Sequence, residues 1–221
     1  MKKYYSSVEQ DKWVIEEVFK GKKNGFFLDL AAASGIRTSN TFALEKDYEW
    51  SGIAIEPHPG FYKKLIHNRS CITENVVVSN KREKVKFRHD NSFKSGIVAE
   101  DTDNSFSVRK DQLQSAKCKI IELHSVLLQD ILDKHNAPKE IDYWSLDIEG
   151  SEERVLSVFD FSKYSFGCIT IERPSSTCNE ILQDQGYVFV KNYKWDTYYV
   201  HPKYSKNLKL EPFIQLPKKQ K

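Results

Sequence analysis

Three apolar runs in this chain each end in a carboxylate: Phe26-Phe-Leu-Asp29, Gly52-Ile-Ala-Ile-Glu56 and Ile141-Asp-Tyr-Trp-Ser-Leu-Asp147. A fourth, Cys168-Ile-Thr-Ile-Glu172, does the same. Short apolar runs bounded by turn signals read as strands buried on both faces, the condition of a parallel sheet covered by helices. In such sheets ligands bind beyond the carboxyl ends of the strands, so Asp29, Glu56, Asp147 and Glu172 are expected to line one crevice.

The stretches between the runs fit this plan. Gln10 to Lys20 carries Trp13, Val14, Val18 and Phe19 at helical spacing, and Gly21 and Gly25 follow it. Thr38 to Lys46, Phe61 to His67, Ser125 to Lys134, Glu152 to Phe159 and Asn179 to Gln185 are the other expected helices. Ile72 to Ser79 and Lys119 to Leu123 are further strands, and Glu83 to His89 alternates as a half-exposed strand would at a sheet edge or in an inserted hairpin. Tyr187 to Lys191 and Thr197 to His201 form an antiparallel hairpin. Asp90 to Lys117 is polar and aperiodic, and reads as a long loop or lid on the acceptor side (90–117). The expectation is a single domain over 1–221, a three-layer α/β/α sandwich whose sheet is mostly parallel, with one antiparallel strand near the C-terminal hairpin.

Composition narrows the function. The 34 basic and 31 acidic residues nearly cancel to +3 and form no basic stripe, which argues against a nucleic-acid partner. No apolar run approaches the ~20 residues that span a bilayer, and the N-terminus lacks the apolar core of a secretory signal. Cys71, Cys118, Cys168 and Cys178 are widely spaced, so reduced thiols in a cytoplasmic protein are expected.

The loop Ala31-Ala-Ala-Ser-Gly35 has only small side chains, which lets a ligand lie close to the backbone. Glu56, at the end of the second strand, stands where an acid of nucleotide-binding folds accepts both hydroxyls of a ribose. The first loop lacks G-x-G-x-x-G, which disfavours a dinucleotide, and with it a nicotinamide oxidoreductase, and favours a smaller adenosine-bearing ligand.

Three blocks then resemble FkbM-type S-adenosylmethionine-dependent methyltransferases, a Rossmann-like family whose members mostly methylate hydroxyl groups of sugars and natural products. They are Gly25 to Gly35; Ser39 to Lys46 running through Trp50 to Pro59; and Ile141 to Glu152 with Phe159 to Tyr164 and Ile169 to Glu172. The resemblance implies O-methyl transfer from S-adenosylmethionine to a saccharide or other hydroxyl-bearing acceptor. It places Asp29, Ala31, Ala32, Ser34 and Gly35 beside the methionine part of the cofactor, and Glu56 and Pro57 at its ribose. It makes Asp147, Glu149 and Glu172 the candidate bases for the hydroxyl proton. Asp147 and Glu172 could alternatively hold Mg²⁺, because hard cations prefer carboxylate oxygen. Ala31 stands where the family usually has glycine, and Ser34 where it often has an acid, so a catalytically silent binding module is one alternative; an RNA methyltransferase of the same fold is another, against which the near-neutral charge weighs. Of the histidines, only His58 and His201 are placed to reach the cleft.

Overall fold

The protein, described by a computed structural model over residues 3–90 and 92–217, is built on ten strands. These are β1 (Phe26–Leu30), β2 (Ser51–Ile55), β3 (Ile72–Glu74), β4 (Val77–Val78), β5 (Lys84–His89), β6 (Lys119–Val126), β7 (Glu140–Leu146), β8 (Ser165–Glu172), β9 (Val188–Tyr193) and β10 (Asp196–Val200). Seven of them form one sheet in the order β3-β2-β1-β7-β8-β10-β9. The pairings from β3 to β8 are parallel, and β10 runs antiparallel to both β8 and β9. The order reverses between β1 and β7, the switch point where an open α/β sheet leaves a crevice.

Side chains alternate across this sheet, and each face buries its own core. Leu28, Leu30, Ile53, Ile55, Trp144, Leu146, Ile169 and Ile171 pack against the helices Leu128–Lys134, Glu152–Leu156 and Ser176–Asp184. On the opposite face Phe27, Tyr143, Cys168, Tyr198 and Val200 meet Trp13, Val14, Ile15 and Val18 of the N-terminal helix and Ala43 and Leu44 of the helix Phe42–Tyr48. The result is the expected three-layer, Rossmann-like sandwich. Burying each large apolar side chain contributes about 1.5–3 kcal/mol, so the two faces supply the main drive to fold.

Several boundaries differ from the sequence reading, each for a local reason. The N-terminal helix runs from Gln10 to Val18, with a π-helical turn over Trp13–Val18. The helix expected from Thr38 starts at Phe42, because Thr38 takes a left-handed φ of 58° and Ser39 Oγ accepts hydrogen bonds from the Thr41 and Phe42 amides. Ile72 to Ser79 divides between two sheets. Asn75 Nδ2 donates to the carbonyls of Glu56 and Pro57, and the chain beyond it enters the small sheet β4-β6-β5. β6 continues through Val126, so the next helix begins at Leu128. The helix near Asn179 begins at Ser176, where Ser175 Oγ accepts from the Cys178 amide.

The segment read as a loop over 90–117 contains the helix Phe106–Leu113, capped by Ser105 Oγ on the Val108 amide. Its inward positions are Arg109 and Leu113, so half of its buried face is a cation and no apolar period could show. Among the described residues, no helix is long and apolar enough to cross a membrane.

Candidate functional site

The register of the main sheet lines up the acids. Leu30 pairs with Ile55 and with Leu146, Leu146 with Ile171, and Glu172 with Asp196. One residue past Ile55, Leu30, Leu146 and Ile171, and at the facing end of β10, this row reads Glu56, Ala31, Asp147, Glu172, Asp196. Two residues back on the same face stand Asp29, Ser145 and Thr170, and two further back Phe27, Tyr143 and Cys168. One face of the sheet thus passes from apolar to polar to acidic toward the carboxyl ends of its parallel strands.

A cleft enclosing about 740 Å³, partly open solvent, lies over the switch point. Its walls include Asp29, Ala31, Ala32, Ala33, Glu56, Pro57 and Asp147 from the strand ends, and Arg37 to Asn40 from the loop before the helix Phe42–Tyr48. Phe61 and Phe93, with ring centroids 5.3 Å apart and planes 4° from parallel, add flat apolar surface. Ser7 and Gln10 close the cleft from the N-terminal segment.

Ala31 and Ala33 adopt left-handed φ values of 64° and 50°, the conformation a glycine would supply without strain. The departure at Ala31 therefore leaves the turn in its glycine-like shape, at a backbone cost. Ala31→Gly is expected to raise stability by about 1 kcal/mol, read as a higher urea midpoint with an unchanged slope; an unchanged or lower midpoint would contradict the strain.

Glu56 is almost fully buried. Its Oε2 accepts from the Ala33 amide at 2.7 Å and its Oε1 from the His58 amide at 2.7 Å. Burial pushes its pKa up to about 7, against the two backbone hydrogen bonds, with a smaller upward push from Asp29. Asp29 is also raised by burial, opposed by the Thr41 hydroxyl (2.6 Å), by Arg69 and by Ser145. Arg69, whose side chain has no exposed surface, donates to Glu45 Oε2 at 2.5 Å and to Thr41 Oγ1 at 3.0 Å, so a buried chain of polar groups runs from Glu45 to Asp29. Asn40 Nδ2 donates to Ser145 Oγ at 2.9 Å beside it.

Carboxylate oxygens of Asp147, Glu149 and Glu172 lie within 4.8 Å of one another. Burial lifts the Asp147 carboxyl well above the usual carboxylate range, and Glu172, Glu149 and Asp196 push it further in the same direction. Glu149 is turned back toward the row by two successive left-handed residues, itself at 58° and Gly150 at 89°. A Cβ on Gly150 would stand 2.5 Å from the Asp103 amide nitrogen, so glycine is required for segment 90–117 to dock there. From that segment Arg109 Nη2 reaches Glu149 Oε2 at 2.7 Å. Glu152 is buried, with Oε1 accepting from the Ile148 amide at 2.8 Å; burial raises its pKa to about 8.

Of the residues singled out from sequence, Asp29, Ala31, Ala32, Glu56, Pro57 and Asp147 line the cleft. Glu149 and Glu172 stand beside Asp147 but outside that wall. Ser34 and Gly35 do not line it: the Ser34 carbonyl accepts from Asn68 Nδ2, and Gly35, at φ 81°, turns away to pack under Leu65 and Arg69. Neither histidine serves the cleft. His58 caps the helix Pro59–Asn68 through Nδ1 and meets the Asp90 carbonyl through Nε2. His201 follows β10, whose reversed direction carries it to the opposite end of the sheet, where it caps the helix Pro202–Ser205. Asp196, Arg69, Asn40 and Ser145 were not singled out, and all depend on contacts distant in sequence.

The family model of the methyltransferase FkbM domain matches residues 29–189. Among solved structures, 84% of the chain aligns with 47% of an FkbM methyltransferase from Methylobacillus flagellatus KT, at 14% identity and a TM-score of 0.49. The chain therefore spans about half the length of that protein. It also aligns over 90% of both chains with precorrin-6y C5,15-methyltransferase from Geobacter metallireducens GS-15, at 13% identity and a TM-score of 0.44. No curated protein matches the sequence.

Proposed function

Because the chain belongs to the family of FkbM methyltransferase domains, we propose that it transfers a methyl group from S-adenosylmethionine to a hydroxyl, with a saccharide as acceptor. The observation that carries this reading is the acidic row. Glu56 and Asp147 stand on one face of adjoining strand ends, with only the small Ala31 between them. The residues present fit the cofactor. Glu56 supplies two acceptor oxygens for a ribose diol, and the Ala31–Ala33 turn lets a ligand approach the backbone.

When bound, the cofactor supplies an electrophilic methyl group on a sulfonium sulfur. Glu56 would hold the ribose end, and Asp29, with Ser145 and Asn40 beside it, the amino-acid end. Asp147 would accept a hydrogen bond from the acceptor hydroxyl and take its proton as the oxygen becomes a nucleophile. Its burial beside Glu172 and Glu149 raises its affinity for a proton. Trp195 supports a sugar acceptor. It is 39% exposed and lies against Arg173, whose guanidinium pairs with Glu172.

The test is calorimetric titration with S-adenosylhomocysteine, followed by transfer of radiolabelled methyl from S-adenosylmethionine to a saccharide panel. Binding of S-adenosylhomocysteine and label in a sugar fraction are the expected results. A folded protein that binds neither form of the cofactor would favour a silent module.

A further inference from the structure

Asp147, Glu172 and Asp196 are successive members of one cross-strand row, so their side chains project from the same face of neighbouring strands. Glu149 joins them through the left-handed turn after β7, and oxygens of Asp147, Glu149 and Glu172 fall within 4.8 Å of one another. Among the described residues, Arg109 pairs with Glu149, and also approaches Asp103 at 3.6 Å, while Arg173 pairs with Glu172. The buried Glu152 adds a further acid nearby. Asp196 provides an independent sign of a missing partner. It is 96% buried, its Oδ2 accepts from Gln10 Nε2 at 2.5 Å, and its Oδ1 has no hydrogen-bond partner. A buried acceptor left unmatched costs free energy, and a donor brought by a ligand removes that cost.

We propose that Asp147, Glu149 and Glu172 bind one hard divalent cation of the Mg²⁺ class, with Asp196 Oδ1 accepting a hydrogen bond from a water on that ion. All the protein donors are carboxylate oxygens, which selects Mg²⁺ or Mn²⁺ over the softer transition metals. One oxygen from each of three residues leaves about half of an octahedral shell for water or for two adjacent hydroxyls of a sugar. That second role rests on the methyl-transfer reading; binding of the ion does not. A cation here would lower the pKa of a bound hydroxyl and so ease loss of its proton to a neighbouring carboxylate.

The experiment is titration of the full chain with Mn²⁺ at mildly alkaline pH, with free ion followed by electron paramagnetic resonance. One equivalent is expected to bind. Asp147→Asn and Glu172→Gln should each weaken binding by at least ~10-fold, and Asp196→Asn by about 10-fold. Asp133→Asn, at an exposed ion pair with Lys163, should leave it unchanged. The three site variants each remove a like charge from a crowded row, and near-UV circular dichroism would check that they fold. Absence of binding by the wild type overturns the inference, as does one equivalent bound equally by wild type, Asp147→Asn and Glu172→Gln. Binding at the row without binding of S-adenosylhomocysteine would sustain the cation site and remove the methyltransferase reading; the reverse pair of results would do the opposite.

Discussion

Glu56→Ala is expected to weaken S-adenosylhomocysteine binding by about 10²- to 10³-fold, measured by calorimetry. Two ribose hydroxyls donating to an ionised carboxylate are worth about 1.5–3 kcal/mol each, and truncation also frees the Ala33 and His58 amides that shape the loop. The fold should survive. A carboxyl whose pKa rises from 4.5 to about 7 on folding binds its proton more tightly in the folded state. Its contribution to stability is therefore full below pH 4.5 and is lost as pH rises through about 7, at a cost of about 3 kcal/mol above that range. Removing Glu56 removes this cost, which offsets the two lost hydrogen bonds near pH 8. The same pKa predicts the pH profile of binding. Hydroxyl donors favour the ionised form, so wild-type affinity should fall as pH drops below about 7, while Glu56→Ala should be nearly flat. A loss of less than about 3-fold, or equal pH profiles for the two proteins, would remove Glu56 from the cofactor site.

Arg69→Met is expected to destabilise the protein by about 3–5 kcal/mol in urea unfolding, because it leaves buried charges without their counter-charge. Glu45 Oε2 loses its 2.5 Å partner, and the pull of the guanidinium on Asp29 disappears. Thr41 keeps its hydrogen bond to Asp29 but loses the donor that oriented it. Methionine fills much of the space against Leu65 and Gly35, so the effect would come from charge and not from a cavity. Adding Glu45→Gln to Arg69→Met should recover part of the loss, since the two residues share one network. A change below about 1 kcal/mol for Arg69→Met would show that the chain from Glu45 to Asp29 does not brace the loop.

The strands were legible because their apolar runs are local and their ends carry acids. Asp29, Glu56, Asp147 and Glu172 needed only the rule that ligands gather past strand ends. Asp196 was missed because it precedes the run read as Thr197 to His201, and its place beside Glu172 is set by an antiparallel register that no local pattern reveals. His201 failed for the same reason, since reversal of β10 sends it to the other end of the sheet. Ser34 and Gly35 were grouped with the cleft by adjacency in sequence, whereas a positive φ at Gly35 turns the chain away. Arg69 looks like a surface cation at the end of a helix. Its burial follows from Glu45 and Thr41, which reach it across the fold.

The N-terminal helix does more than cover the sheet. Ser7 and Gln10 stand in the cleft wall, Gln10 holds Asp196, and the Tyr198 hydroxyl donates to the Val8 carbonyl. Fraying of this segment would open the cavity and expose the acid row together. Ligand occupancy and ordering of the chain's first turn are therefore linked equilibria: whatever fills the cleft raises the free energy of local opening, and whatever loosens the segment lowers affinity by the same factor. A segment far from the strand ends in sequence acts as a thermodynamic latch on the chamber they form.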